Sequence, residues 1–481
     1  MSIILIIIFT LFIALLFSKL IRTRRENCPK NLPKGSLGWP ILGEMLSFLQ
    51  AQRKDQGPEW IKERVDKYGK VFKTSIMGSK TVVFVGLAGN KFVLGSDESI
   101  LVGNPPKTVV TMIGKFNLFG LSGSRYRLVK SAMLSFLKLE NVQNYVGRMD
   151  DRVTSLLLNE TKDTNTFKIV HFMKKLTFDL SCTILFDLHD EPTKKAFLDD
   201  LKVIFEAVWS IPVNFPGTLY RRGLQARSRV LKRLLPIITK RKEDIAKGAR
   251  CPSSDLLSSF LALRDEDAKP LSDEVIMDNF ITMTIASHDT SAILLSLLVL
   301  KMSRDKDIYQ KILQEQMEVK KGKEVKGEDK LTWADTQKMK YTWRVAQELM
   351  RIIPPVFGNF RTASKDICFD GFDIPKGWQV MWLSCATHMD ENIFHNPKEF
   401  DPSRFDNPSR VIPPYAYIPF GGGMHTCIGN EFAKVETLIT IHKLVTMFEW
   451  STIHPNEGLT RRPMPYPSMG LPVKIRSRTP Q

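Results

Sequence analysis

The sequence predicts a mainly α-helical protein with small β-sheets, and helical periodicity is the main reason. From about residue 140 onward, apolar residues recur at the spacing of one helix face over four long segments: 141–159, 254–264, 272–303 and 430–448. Strand patterns are shorter. Residues 71–77 and 81–85 are rich in β-branched and aromatic residues and flank a turn at 78–80, which predicts a β-hairpin. Further short strands are predicted at 367–372 and 379–383.

Composition excludes several classes of protein. The chain has 481 residues, 43% of them hydrophobic, and its 6 cysteines form no C-x-x-C pair. It is therefore not a disordered chain, a collagen-like chain or a small disulfide scaffold. Length alone suggests roughly three domains of about 150 residues, although large enzymes with one continuous core often break that rule.

The N-terminus carries the pattern of a membrane anchor. Residues 1–18 are uncharged, and four basic residues follow closely: Lys19, Arg22, Arg24 and Arg25. The apolar stretch approaches the ~20 residues that a transmembrane helix needs. A cleaved signal peptide, the alternative, would have its basic residues before the apolar run and a small-residue cleavage site after it. We expect a retained anchor over 1–21, with the residues after it in the cytosol. A basic connector rich in Pro and Gly follows over 22–45.

Positive charge is unevenly spread. The net charge is +18, and residues 221–250 hold eleven Lys and Arg against two acids. No aromatic stacking platform, zinc pattern or recognition helix accompanies this segment, so we expect no nucleic-acid partner. The preceding loop, 208–217, is apolar and contains aromatic residues and Pro. An apolar loop leading into a basic helix favours contact with membrane lipid, and a solvated basic face is the alternative.

One cysteine has an unusual setting. Cys427 follows three glycines, 421–423, and precedes the predicted helix over 430–448. The positive end of a helix dipole favours thiolate over thiol, and glycines let backbone N–H groups approach the sulfur. Such hydrogen bonds tune a metal–thiolate bond. A phosphate-binding loop would end in Gly-Lys-Ser/Thr, which is absent here. A buried structural cysteine would not explain the glycines around it.

The loop resembles the haem-binding loop of the cytochrome P450 family, F-x-x-G-x-R-x-C-x-G. The matching residues are Phe420, Gly423, Cys427 and Gly429, while His425 stands where Arg is usual. The resemblance implies haem b with Cys427 as the axial iron ligand. It also implies the family's fold, a triangular helical prism around a buried haem. The motifs span residues 286–429 and must converge on one haem, so we expect a single catalytic domain over 46–481.

Two further motifs of the family follow its order. Glu348 and Arg351 match its E-x-x-R helix, whose spacing places both charges on one face. Arg404, in the P-x-R-F segment, would complete a buried ion-pair triad with them. E-x-x-R alone is weak, because a surface ion pair has the same letters; together with the cysteine loop it becomes specific. Pro354 should end the helix.

The long apolar helix over 272–303 contains polar residues at its middle. Such residues are costly in an apolar helix unless they face a cavity or a partner, and a satisfied polar cluster between helices is one reading. Asp289 and Thr290 match the acid–alcohol pair of the family's oxygen-binding helix. The Thr hydroxyl there assists oxygen activation, and the acid connects it to a proton supply. Ser287 replaces the family's usual Gly, and His288 lies at a variable position without an assigned role.

Haem propionates need cationic or hydrogen-bonding partners. By alignment with the family's propionate contacts, the candidates are Arg361, His425, Tyr126 and Lys130. Tyr126 and Lys130 stand where the family more often has Trp or His, and Arg. The pKa of histidine lies near neutrality, so His425 is a weaker source of charge than Arg.

The resemblance is closest to the plant clan that oxidises steroids and terpenoids, including the β-amyrin oxidase and taxoid hydroxylase groups. It implies a monooxygenase of the endoplasmic reticulum membrane that uses O2 and electrons from an NADPH-dependent cytochrome P450 reductase. Its substrate would be a hydrophobic di- or triterpene, hydroxylated once or oxidised stepwise from methyl to carboxyl. The alternatives are a steroid or plant-hormone hydroxylase, a haem-thiolate isomerase or dehydratase that needs no O2, and a non-catalytic haem carrier. Asp289 and Thr290 argue against the last two.

Overall fold

Helices dominate the computed structural model, which describes residues 31–478 apart from 41, 163, 407–410, 462 and 463. The helices of the first half are α1 Met45–Arg53, α2 Gly57–Tyr68, α3 Leu87–Gly95, α4 Lys107–Ile113, α5 Gly123–Leu137, α6 Leu139–Thr161, α7 Ile169–Leu180, α8 Glu191–Val208 and α9 Leu219–Ala246. Those of the second half are α10 Leu256–Ala262, α11 Asp273–Arg304, α12 Lys306–Glu324, α13 Trp333–Thr336, α14 Lys340–Ile352, α15 Ser384–His388 and α16 Asn430–Met447. A π-helical turn, Ser181–Leu185, continues α7.

Helix α11 forms the centre of the main hydrophobic core. The Ser272 side chain caps its first turn by accepting from the Val275 N–H, and Lys301 and Arg304 lie in its last turn, where cations suit the helix dipole. It packs against α7, α14 and α16. Of the described helices, α11 alone is long and apolar enough to cross a membrane, and 78% of its apolar window is buried inside the protein. The predicted anchor over 1–21 lies outside the described residues.

Short strands form small sheets at the edges of the helical body. They are β1 Val71–Ile76, β2 Ser79–Phe84, β3 Leu101–Val102, β4 Thr166–Lys168, β5 Gly358–Ala363, β6 Ile367–Phe369, β7 Phe372–Ile374, β8 Gln379–Leu383, β9 Phe448–Thr452, β10 Leu459–Arg461, β11 Pro465–Pro467 and β12 Pro472–Ser477. The largest sheet has the order β1-β2-β8-β5-β3, with β2 and β8 parallel and its other pairs antiparallel. A second sheet has the order β4-β12-β9, and β6-β7 and β10-β11 are hairpins. The mainly helical class with small sheets is therefore confirmed.

The turns of two hairpins differ from the sequence prediction. The β1–β2 turn is Met77–Gly78, not 78–80, and both residues have positive φ, +51° and +76°. Such two-residue turns match the right-handed twist of paired strands. The predicted single strand 367–372 is instead the β6–β7 hairpin, which turns at Asp370–Gly371 with φ +51° and +77°. Asp-Gly is a strong hairpin signal, and the single-strand prediction was wrong there.

The basic segment over 221–250 is largely paired in three dimensions. Arg227 contacts Asp278, Arg229 and Arg233 contact Asp200, and Arg241 and Arg250 contact Asp255. These acids lie outside residues 221–250. The number of Lys and Arg in that segment therefore overstates the positive charge at the surface of α9. Within the described part of the chain, four basic residues of this segment have no ion pair: Arg221, Arg222, Lys232 and Lys240.

Candidate functional site

The glycine-rich loop places Cys427 just before α16. The Cys427 N–H donates to the Phe420 carbonyl at 2.9 Å, which closes the loop. Gly423 has φ +63°, and a Cβ there would collide with the Leu94 carbonyl of α3. Only glycine lets the two backbones approach so closely. Phe420 and Gly423 therefore shape the loop that presents the cysteine.

Two opposing effects act on the pKa of the Cys427 thiol. Burial raises the pKa of its thiol, while the Gly429 N–H, hydrogen-bonded to the sulfur, favours thiolate and lowers that pKa. The residue is nevertheless exposed by surface area. Cys427 is thus surrounded by protein and still has accessible surface, as expected for a residue that faces an internal cavity. Coordination to a metal ion would deprotonate such a thiol outright.

A buried network joins Glu348, Arg351 and Arg404. Arg351 Nε and Nη2 donate to the two oxygens of Glu348 at 2.7 and 2.8 Å, and Arg404 Nε donates to Oε1 at 3.2 Å. Glu348 and Arg351 are 0% exposed. Arg351 also donates to the carbonyls of His388 and Pro397, both at 2.7 Å, and Arg404 to that of Asn396 at 2.9 Å. The network thus fixes the chain between α15 and the 3₁₀ turn Pro402–Phe405.

His388, which sequence reasoning missed, connects this network to the cysteine loop. Its Nδ1 lies 3.1 Å from the Arg351 carbonyl, and its Nε2 accepts from the Ile418 N–H at 2.9 Å. These partners require a neutral ring that donates from Nδ1. Ile418 is two residues before Phe420, so the histidine anchors the start of the loop. No motif signals this contact, because its partners are backbone groups far away in sequence.

Buried neutral histidines predict loss of stability in mild acid. Burial lowers the pKa of both His388 and His442 to about 3, and His442 Nδ1 lies 2.8 Å from Gln316 Oε1. In the unfolded chain their pKa is about 6.5, so the unfolded state binds these protons first as pH falls. Each therefore costs about 1.4 kcal/mol of unfolding free energy per pH unit below about pH 6.

In the variant His442→Gln, the unfolding free energy should depend less steeply on pH between pH 7 and 5. The slope should fall by the contribution of about one proton. The measurement is the thermal midpoint of the holoprotein across that range. His171→Gln, at an exposed position, is the control and should keep the wild-type slope. An unchanged slope in His442→Gln would show that this ring does not stay neutral in the folded protein.

Helix α11 holds the predicted acid–alcohol pair at its buried middle. Thr290 Oγ1 donates to the Ala286 carbonyl at 2.7 Å. Ser287, at the family's Gly position, donates to the Met283 carbonyl at 2.7 Å and accepts from Ser181 at 2.8 Å. Ser181 begins the π-helical turn after α7, so Ser287 ties α11 to that distortion.

Asp289 has two partners that sequence reasoning missed. Its Oδ1 accepts from the Tyr466 hydroxyl at 2.6 Å and lies 2.9 Å from Lys174 Nζ. Its Oδ2 is buried and has no hydrogen-bond partner among the described residues. The Lys174 side chain is 27% exposed, so the cluster extends from the buried helix to the surface. Neighbouring His288 is buried against Thr177, and burial lowers its pKa to about 4, which fits a structural role.

The four propionate candidates lie beside the cysteine loop. The Tyr126 hydroxyl is 3.0 Å from both the Met424 carbonyl and His425 Nδ1, and Lys130 contacts the same carbonyl. Burial raises the pKa of Tyr126 to about 12 and lowers that of Arg361 to about 10. Burial, Arg361 and Lys130 together lower the pKa of His425 to about 3.

Two groups of this cluster, His425 and Arg361, are placed to bind an anion. His425 Nε2 is buried and without a hydrogen-bond partner among the described residues. The buried Arg361 donates to the carbonyl of its own neighbour, Phe360, at 2.9 Å. In the neutral tautomer of His425 whose Nδ1 accepts from the Tyr126 hydroxyl, Nε2 is a buried donor without a described partner. Such a donor is costly, and a haem carboxylate would satisfy it. The polar groups present in this cluster therefore fit the carboxylates of a haem.

The elements that carry these groups are in contact. Helix α11, with Asp289 and Thr290, packs directly against α16, which begins behind Cys427, and α3 packs against the glycine turn of the cysteine loop. The fold therefore places a cysteine loop next to a buried helix that carries polar residues at its middle. This combination is typical of haem-thiolate enzymes. The chain belongs to the cytochrome P450 family, whose sequence model, "Cytochrome P450", matches residues 33–474. The family predicted from the motifs is confirmed.

Named relatives refine this membership. The chain is 37% identical to taxane 10-beta-hydroxylase of Taxus cuspidata over 93% of this chain and 90% of that protein. It is 35% identical to beta-amyrin 28-monooxygenase of Medicago truncatula over 94% of each. Among solved structures, the retinoic acid bound cyanobacterial CYP120A1 superposes with a TM-score of 0.82 at 30% identity, covering 93% of this chain and 100% of the other. The chain is thus a cytochrome P450 enzyme with hydroxylase and monooxygenase relatives, and the family implies a haem-iron cofactor.

Proposed function

We propose that the protein is a membrane-anchored haem-thiolate monooxygenase that hydroxylates a hydrophobic terpenoid, a di- or triterpene. The observation that carries this proposal is the 35–37% identity, over more than nine-tenths of the chain, to a taxane hydroxylase and a beta-amyrin monooxygenase. Those names give a taxane and beta-amyrin as the molecules that the two relatives oxidise. The buried apolar α11 on one side of the site suits such a molecule.

The residues have distinct roles toward haem b. Cys427 would ligate the iron through Sγ, and the Gly429 N–H would stabilise its negative charge. Arg361, His425, Tyr126 and Lys130 would hold the propionates. When bound, the haem supplies the oxidising chemistry that converts a C–H bond to C–OH with O2 and two electrons.

Thr290 and Asp289 would handle protons. The Thr290 hydroxyl bonds to the Ala286 carbonyl at 2.7 Å, which fixes its rotamer within the helix. Asp289 Oδ2 is buried without a hydrogen-bond partner among the described residues, and we assign the proton transfer to this oxygen. A positioned acid of this kind contributes to catalysis by timing proton delivery.

Electrons would come from an NADPH–cytochrome P450 reductase. A cleft of about 270 Å³ lies between α14 and α16. Its lining includes the basic residues Lys340 and Lys434, and Arg344, which forms an ion pair with Asp406. Lys434 Nζ lies 5.8 Å from the centre of the Trp343 ring. Basic and aromatic groups around a concave surface suit an acidic redox protein.

The membrane would be the endoplasmic reticulum, with 1–21 as a single-pass anchor, 22–45 as a connector and 46–481 as one cytosolic catalytic domain. The loop between α8 and α9 supports lipid contact, because Phe215 is 64% exposed and Val213 is 50% exposed. Exposed apolar groups at a loop tip are typical of interfacial insertion.

Microsomes that contain the protein and a reductase, assayed with NADPH against a panel of di- and triterpene skeletons and steroids, test the substrate class. We expect hydroxylated products from at least one terpene skeleton, and an alcohol, aldehyde and acid series if oxidation proceeds stepwise. Turnover confined to steroids would overturn the terpenoid assignment. Reductase without the protein is the control.

Replacing Thr290 by Ala should leave haem binding intact and divert electrons to hydrogen peroxide. The variant lacks the hydroxyl that assists proton delivery, a step worth roughly 10²–10⁴-fold when a positioned group is removed. Hydrogen peroxide and product are measured per NADPH consumed. Ser296→Ala, which removes a similar bond to the Ala292 carbonyl on the same helix, is the control. Unchanged coupling in Thr290→Ala would reject the role.

A further inference from the structure

Tyr466 joins the C-terminal hairpin to the buried acid of α11. It lies on β11, opposite Thr460 of β10. Its hydroxyl donates to Asp289 Oδ1 at 2.6 Å, which is short for an O–H···O bond and typical of a charged acceptor. Burial and Asp289 raise the pKa of Tyr466 well above its usual value. The hydroxyl therefore stays protonated and acts as a donor to the carboxylate.

The tyrosine also shapes the rest of the acid's surroundings. Lys174 Nζ lies 4.2 Å from the centre of the Tyr466 ring and 2.9 Å from the same Asp289 oxygen. The ring and the hydroxyl thus hold both the lysine and the carboxylate. With Oδ1 occupied by two donors, Oδ2 is left without a hydrogen-bond partner among the described residues.

The hairpin is fixed at its other side as well. Arg461 Nε contacts Asp55 at 2.6 Å, and Thr460 Oγ1 donates to the Arg53 carbonyl at 3.2 Å. Both contacts reach the end of α1 and the residues just after it. The β10–β11 hairpin therefore spans from the N-terminal helices to the centre of α11.

We propose that Tyr466 is a positioning residue for Asp289, and that its hydroxyl makes proton delivery at α11 depend on the β10–β11 hairpin. The inference rests on the proposed function, in which Asp289 supplies protons to Thr290. Each NADPH delivers two electrons. With O2 and two protons, these yield either hydroxylated product and water, or hydrogen peroxide. A loosely held Asp289 shifts the balance toward peroxide.

Tyr466→Phe removes the hydroxyl and keeps the ring. We expect an intact reduced-plus-CO spectrum, a roughly ten- to hundredfold rise in peroxide per product, the scale of one lost hydrogen bond to a charged group, and a changed solvent deuterium isotope effect on product formation. A merely structural tyrosine would not alter that isotope effect. The control is Tyr145→Phe, because the Tyr145 hydroxyl bonds to the Phe136 carbonyl at 3.3 Å outside the site.

A second measurement does not depend on turnover. The thermal unfolding midpoints of Tyr466→Phe, Asp289→Asn and the double variant form a cycle. If the bond exists in solution, the double variant loses less than the sum of the single losses. Additive losses, or wild-type coupling and isotope effect in Tyr466→Phe, would each overturn the inference. A wild-type protein without a reduced-plus-CO signal would instead overturn the proposed function, and the cycle would still decide the contact.

Discussion

Glu348→Ala is expected to leave little folded holoprotein. The change leaves Arg351 and Arg404 without their carboxylate partner. The Arg351 side chain is 0% exposed and the Arg404 side chain is 4% exposed. Removing one partner of a buried ion pair costs about 3–5 kcal/mol because a charge stays buried and uncompensated. A domain has only about 5–15 kcal/mol of stability in total. The chain segment that leads to the cysteine loop through His388 would lose its support as well.

The measurement is the yield of folded holoprotein and its thermal midpoint. Asp66→Ala is the control, because Asp66 forms an exposed pair with Lys62 at 3.1 Å, and such pairs contribute roughly 0–1 kcal/mol. Glu348→Gln should fall between the two, since its amide oxygen still accepts from one side of the network, while its NH2 group would face an arginine donor and the charge is lost. A near-normal yield of Glu348→Ala would show that the network does not support the fold.

Cys427→Ser should abolish the reduced-plus-CO difference spectrum of a haem-thiolate protein. A serine hydroxyl is a poor thiolate substitute, so the sulfur donation to the iron is lost even where haem remains bound. The variant is compared with Cys251→Ser, which changes an exposed cysteine away from the loop and should keep the signal. Persistence of the signal in Cys427→Ser would reject the axial assignment.

The helices and strands that were predicted with bounds depend on local periodicity, and most of them are observed close to those bounds. The helix predicted over 430–448 is observed as Asn430–Met447, and the strand at 379–383 has the predicted bounds. The failures were turns: Asp370–Gly371 splits a predicted strand because backbone conformation at two residues outweighs the strand pattern around them.

Local periodicity could not predict contacts between residues that are far apart in sequence. Tyr466 and Lys174 reach Asp289 from 177 and 115 positions away, and neither belongs to a motif. The charge count has the same limit: Arg227 adds to the basic segment over 221–250 in sequence, yet its partner Asp278 lies on α11. Residues that act through a shared local motif are predictable from sequence, whereas partners brought together by packing need the structure.

Oxygen-18 labelling distinguishes a monooxygenase from an enzyme that uses no O2. Microsomes with the protein, reductase and NADPH convert an accepted terpene under oxygen-18 gas, and the product is analysed by mass spectrometry. We expect one oxygen-18 atom per hydroxylation and no product without O2 or NADPH. A product that forms without O2, or whose new oxygen comes from water, would contradict a monooxygenase and favour a haem-thiolate isomerase or dehydratase.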